Sequence, residues 1–374
     1  MTTIYTEDVW KIEVPGSGYT GWPTLTKTNS GELMAVYSGG RRHHVGPFGQ
    51  VHLITSRDDG KSWTWPRILV DGVLDDRDAG ILQTSKSTFI VNWFSSFLWE
   101  SVMVTEADAF KNYPEAEQAE WERRHARLTD EIRQNELGVW SIRSTDGGAS
   151  WSNKIDTVVG SPHGPCELSD GRLLYVGKKG AANFRDGDNG SAYCDELGVA
   201  ESTDDGQSWK LIGDIPTMPE HDITSYHELH ATQAANGDII AHIRNHDEPH
   251  QYETLQTESQ DGGKTWSTPH PIGIWGYPAF LLRASDDRLI TSVGYRRNPK
   301  GNQIAISEDN GRSWSKSMPI NTDSDGDFVI PSDSDGDFGY PSTVELSPGC
   351  FLTLWYDKLN SDQGYLRLAR WRLD

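Results

Sequence analysis

Cysteine is scarce in this chain of 374 residues, where Cys166, Cys194 and Cys350 are the three present. Three thiols so widely spread give neither a disulfide framework nor a spaced zinc site, and they are expected to be reduced and unpaired in a cytoplasmic protein. Positive charge is also in short supply. Lys and Arg number 34 against 55 Asp and Glu, a formal net charge of −21. A surface that acidic repels phosphate backbones and anionic lipid headgroups, so neither nucleic acid nor a membrane is an expected partner. No apolar run approaches the roughly 18 residues that cross a bilayer, and the opening MTTIYTEDVW carries acid where an export signal carries base.

Tryptophan and turn formers are plentiful: 15 Trp, 37 Gly and 18 Pro point to many short strands joined by tight turns. One octapeptide, Ser-x-Asp-x-Gly-x-x-Trp, occurs five times, at Ser56–Trp63, Ser144–Trp151, Ser202–Trp209, Ser259–Trp266 and Ser307–Trp314. Its parts define a hairpin staple: Asp accepts backbone N–H bonds, Gly takes a positive φ and Trp packs back under the turn. Six apolar segments alternate with the staples, GELMAVYS, STFIVNWF, GRLLYVGK, GDIIAHIR, DRLITSVGYR and GCFLTLWY, and are read as the inner strand of each repeat. A period of roughly 50 residues with about four strands is the signature of a propeller. The expected fold is therefore all-β, a six-bladed β-propeller over residues 1–374 as one domain, with Ile4–Val14 completing the last blade.

The interval between Trp63 and Trp151 is the longest between staples, and residues 106–136 within it are rich in Glu, Ala, Arg and Gln. A helical insertion in the second blade is expected there, as a lid over one face or a surface that pairs with a second copy. The repeated SDGDF segment supplies Asp323, Asp325 and Asp327, then Asp333, Asp335 and Asp337, donors of the kind calcium takes. Gly falls at the wrong place for an EF-hand loop, and no metal or other cofactor is expected.

The loops feeding the innermost strands of a propeller form one concave face, so polar residues there are the first candidates for a site. They are Trp22, Arg77, Asp78, His163, Glu228, His230, Tyr277 and Tyr340. Aromatic rings, acids, imidazoles and guanidinium groups aimed at one axis suit a carbohydrate.

The five staples resemble the Asp boxes of the sialidase (neuraminidase) superfamily, and the resemblance spans nearly the whole chain. In that superfamily a Glu nine residues before the fourth-blade Gly polarises a Tyr nucleophile at the start of the sixth blade. Here Glu228 stands nine before Gly237, and Tyr340 opens GYPSTVEL. The resemblance implies an exo-acting glycoside hydrolase that removes a terminal acidic sugar, with Tyr340 attacking and Glu228 taking its proton. Two superfamily residues are absent. Gly21-Trp22-Pro23 replaces the Arg-Ile-Pro that begins the first blade, and the loop GGRRHHVGPFGQ, with Pro47, lacks the acid/base Asp.

That loop offers His43 and His44 for proton transfer instead. Arg41, Arg42, Arg244, Arg296 and Arg297 are candidates to hold the substrate. Two alternatives remain open on the residues alone. One is a polysaccharide lyase that uses His, Tyr and Arg on a uronate; the other is a glycan-binding propeller without turnover.

Overall fold

Each of the five octapeptides closes a hairpin between the third and fourth strands of a sheet. In the first, the Ser56 hydroxyl donates to Asp58 and accepts from the Gly60 amide at 2.9 Å. Asp58 then accepts from the Ser62 amide at 2.8 Å, and Trp63 Nε1 donates to the Gly60 carbonyl at 2.9 Å. The five glycines have φ between 80° and 94°, where a side chain is strained. They also need to be bare for a second reason, because each faces the second strand of the preceding blade. A Cβ on Gly263 would meet Leu174 at 2.7 Å, and one on Gly206 would meet Ile90 at 2.5 Å. The staples are thus the seams between blades.

The computed structural model describes residues 4–12, 18–180, 191–298, 300–320, 337–360 and 363–373. Among these, the strands form six antiparallel sheets in a ring, a six-bladed propeller. The sixth sheet runs Ile4–Ile12, Gln363–Leu373, Cys350–Asn360, Gly339–Ser347, so the N-terminal strand supplies its outer edge as expected. That blade has no staple of its own. Its seam with the fifth is filled by Phe351 and Trp371, stacked at 4.5 Å and clustered with Ile290, Ile304 and Ile306.

The apolar repeats differ from expectation in one respect: they are the second strand of each blade. The innermost strands are Tyr19–Lys27, Asp75–Gln83, Val159–Gly160 with Cys166–Glu167, Tyr226–Gln233, Ala279–Arg283 and Gly339–Ser347. They do not read as apolar runs because polar side chains stitch them across the channel wall. Thr24 donates to the Ala79 carbonyl at 3.0 Å, Ser161 bonds both the amide and the carbonyl of Leu229, and the Leu281 amide donates to His230 at 2.9 Å.

Helices Trp99–Val104, Ala107–Phe110, Glu115–His125 and Asp130–Glu136 interrupt the second blade between its second and third strands. The helical stretch starts earlier than residue 106, because Trp99 is buried with Phe97, Phe110 and Trp121 in a core of its own. That core includes Val45 and Phe48 of the first-blade loop, and Arg124 donates to the Pro47 carbonyl at 3.2 Å and the Gly72 carbonyl at 2.6 Å. The helices therefore fix the loop that carries His43 and His44. Among the described residues no helix is long and apolar enough to cross a membrane. Of the alternating acids, only Asp337 lies within the described residues.

Candidate functional site

The innermost strands are bulged at one end of the ring. Register against the second strand slips between Gly21 and Thr24, Arg77 and Gly80, Tyr226 and Leu229, and Gly339 and Ser342. In three of these bulges a bulky residue has left-handed backbone: Trp22 at φ 51°, Asp78 at 57° and Tyr340 at 52°. The third inner strand is broken outright around His163, at φ 70°. Such conformations cost about 1–3 kcal/mol each and re-aim a side chain that a regular pleat would send into the neighbouring blade. Here they turn side chains toward the axis.

The result is a cavity of about 900 Å³. On one wall the Tyr340 hydroxyl donates to Glu228 Oε1 at 2.6 Å. Arg244 Nη1 donates to both oxygens of the same carboxylate, at 2.8 and 3.0 Å, and lies 3.4 Å from the phenol oxygen. Its guanidinium sits 4.0 Å over the Tyr277 ring. Burial alone would raise the Glu228 carboxyl, but Arg244, His227 and the phenol hydrogen bond hold it at about 2. Burial, then the neighbouring Glu228 charge, pushes the Tyr340 phenol well above its ordinary value. The pair is a protonated phenol on an ionised acceptor.

The adjoining wall is built on Trp22, whose ring centroid lies 6.4 Å from that of Tyr340 and which carries the Arg77 guanidinium at 4.3 Å and that of Arg41 at 4.9 Å. Arg41 pairs with Asp75, both fully buried, while Arg77 reaches Asp78 at 3.4 Å and Asp75 at 3.8 Å. Burial raises the Asp78 carboxyl, opposed by Arg77. His44 hangs over this wall edge-on to Trp22, their ring centroids 4.9 Å apart, and Arg77 Nη1 donates to its carbonyl at 3.2 Å. Its Nδ1 lies 3.2 Å from Asp337.

Of the residues singled out from the sequence, Tyr340, Glu228, His44, Arg77, Asp78, Arg244, Tyr277 and Arg296 line the cavity. Four others stand behind it. Trp22 and Arg41 are the buried supports just described; His163 meets Thr24 at 3.1 Å, and His230 stacks on Phe280 at 4.5 Å. Burial drives both imidazoles toward the neutral form, His163 down to about 3.

Three expected site residues point elsewhere. His43 stacks on Tyr113 at 4.5 Å and meets Glu117 at 2.6 Å, because the helix Glu115–His125 presents an acid to that side of the loop. Arg42 is half exposed beside Glu117 and Glu120. Arg297 lies 3.5 Å over the Trp275 ring.

Lys178, Tyr193, Tyr356 and Lys358 also line the cavity and were not singled out, and Asp337 was read only as an ion ligand. A sequence signal for two of the bulges exists in Gly21-Trp22-Pro23 and Gly339-Tyr340-Pro341, where Pro removes a ladder N–H. Among the described residues no three His, Cys, Asp or Glu side chains are grouped to hold a metal ion.

Residues 140–352 match the BNR repeat-like domain family. No curated protein matches the chain. Among solved structures, a protein of unknown function from Dyadobacter fermentans superposes with a TM-score of 0.72 at 18% identity over 99% of both chains. The NanB sialidase of Streptococcus pneumoniae gives 0.65 at 14% identity, over 98% of this chain and 70% of that one. The α-L-arabinanase of Penicillium chrysogenum, complexed with arabinobiose, gives 0.58 at 12% over 98% of each. At such identities these likenesses speak for the fold alone. The family match covers more than half of the sequence, and with the ring of six bladed sheets it makes this chain a member of the BNR repeat-like family with a sialidase-like propeller.

Proposed function

We propose that this propeller is an exo-acting glycosidase that releases a terminal acidic sugar, with Tyr340 as nucleophile and Glu228 as its base. The observation that carries this reading is the 2.6 Å bond from the Tyr340 hydroxyl to a carboxylate kept ionised by Arg244. A phenol attacks an anomeric carbon only if its proton leaves as the new bond forms, and Glu228 is placed to receive it. Arg77, Arg244, Arg296 and Lys178 on the cavity wall favour a substrate that carries a carboxylate. The cleft also suits a group in the family of sugars, being lined by Tyr193, Tyr277 and Tyr356 beside these charges.

The test is a panel of aryl glycosides of uronic and nonulosonic acids. Turnover is expected on at least one of them, with a fluorinated analogue of that sugar adding its mass to Tyr340. Tyr340→Phe and Glu228→Gln should each lower kcat by about a thousandfold or more while leaving sugar affinity within a few fold. Turnover that survives Tyr340→Phe within tenfold, or an unsaturated product in place of a hydrolysed one, would overturn the reading.

A further inference from the structure

We infer that Asp337 is a positioning residue that fixes the tautomer and orientation of His44, so that His44 Nε2 exchanges the proton of the leaving group; only the identity of that group rests on the glycosidase reading above. The geometry behind His44 leaves its Nδ1 one role. Nδ1 is 3.2 Å from Asp337 Oδ2 and 3.2 Å from the Tyr19 hydroxyl. Tyr19 gives its own proton to the same Oδ2 at 2.6 Å, so Nδ1 faces a carboxylate and a hydroxyl whose proton is already placed. It meets both as a donor. The other carboxylate oxygen accepts from Tyr356 at 2.6 Å, and Lys358 Nζ is 3.5 Å from Oδ2.

This cluster is built to keep its charges. Burial would raise the Asp337 carboxyl, but His44, Tyr19 and Tyr356 together hold it well below the usual carboxylate range. Burial and the Asp337 charge push both phenols up, so they stay protonated as donors. With Nδ1–H so committed, Nε2 carries the exchangeable proton. It faces the cavity, 3.5 Å from Arg77 Nη2, with Asp78 the next charge beyond that guanidinium. Trp22 fixes the ring plane edge-on, and the helical segment anchors the loop through Pro47.

The steps balance as follows. Tyr340 Oη bonds to the anomeric carbon while its proton passes to Glu228, the glycosidic C–O bond breaks, and the leaving oxygen takes the Nε2 proton of the imidazolium. In the second half Nε2 removes a proton from water, the water oxygen bonds to the anomeric carbon, and the Tyr340 oxygen leaves and recovers its proton from Glu228. Throughout, Asp337 holds Nδ1–H and stabilises the imidazolium whenever it forms.

Two measurements on the full chain test this separately from the Tyr340 reading. Nitrogen-15 NMR of histidine-labelled protein should show neutral His44 as the Nδ1–H tautomer. In Asp337→Asn that tautomer should give way to a mixture with Nε2–H, whereas Tyr340→Phe should leave it in place. In kinetics, Asp337→Asn and His44→Gln should each lower kcat about a hundredfold on a phenyl glycoside, without adding in the double variant. Both should act far less on a dinitrophenyl glycoside, whose leaving group needs no proton. A wild-type Nε2–H tautomer, an unchanged tautomer in Asp337→Asn, or equal losses on both leaving groups overturns the assignment. Should Asp337→Asn fail to fold, the wild-type tautomer decides alone. Loss of the Tyr340 dependence with these results intact would sink only the nucleophile.

Discussion

The two ends of the ring are built on opposite terms. At one end five staples repeat, with the Ser hydroxyl accepting from the Gly amide in each and a glycine against the preceding blade. At the other end four inner strands share a bulge but present different side chains from it, Trp22, Asp78 and Tyr340 adopt left-handed backbone, and Arg41 and Asp75 are buried as an ion pair. Repetition at the staple end makes six wedges into a ring. Departure from repetition at the cavity end puts a different side chain from each wedge on the axis, at a cost in strain and desolvation.

Variants that separate chemistry from scaffold sharpen this contrast most. Tyr340→Phe is expected to lose about a thousandfold or more in kcat with Tm within about two degrees, because the lost oxygen acts on the transition state and Glu228 keeps Arg244. The cavity end is not neutral for stability everywhere, however. Asp75→Ala strands the Arg41 guanidinium in a site with no exposure, and urea denaturation should show a loss of about 3–5 kcal/mol. If the loss is under about 1 kcal/mol, the pair is not a support of that wall.

At the staple end Gly263→Ala meets both a φ of 94° and the Leu174 methyl group. A loss of about 1–2 kcal/mol is expected, with kcat unchanged. A fall in kcat at equal folded fraction would mean that the two ends are coupled.

Acidification breaks the symmetry in a further way. Burial lowers His163 to about 3 and His52 and His242 to about 4, below the ordinary 6.5. Their contribution to stability is complete above pH 6.5 and is lost as pH falls from there toward the folded values. The staple acid Asp58 and the site acid Glu228, both near 2 in the fold, contribute fully above their ordinary values and lose their share only below about pH 4.5. Between about pH 7.5 and pH 5.5 the unfolding free energy from urea denaturation should therefore drop by about 1 kcal/mol for each of these histidines, and the midpoint with it, with the staples intact. An unchanged midpoint would place protons on these histidines in the folded chain.

Much of this architecture is written in the sequence because the staple is a local motif: every bond in it spans a few residues, so eight letters specify it. Glu228 and Tyr340 were singled out through the superfamily resemblance, one by standing nine residues before Gly237 and the other by opening GYPSTVEL. The inner strands were not, since their polar residues bond across to other blades, and a single blade's letters do not show what stands opposite. His43 and His44 are equivalent neighbours until the helix bearing Glu117 arrives to claim one of them. Asp337 looked like one acid of a run; its partners Tyr19 and Tyr356 lie 318 residues away and 19 residues away in the chain.

Pairing of Ile4–Ile12 with Gln363–Leu373 gives the ring a kinetic character as well as a shape. Closure joins segments more than 350 residues apart, and such contacts are entropically expensive and slow to form. Until they form, the strand Gln363–Leu373 is an open sheet edge, able to add a strand from another chain. Tyr340 belongs to the first strand of that same sheet, and Trp22 to the next one around the ring. The Trp22–Tyr340 contact thus lies across the seam that closes the ring, and a partly closed ring keeps the Glu228–Arg244 pair, which one blade holds, but lacks the joined wall that completes the cavity.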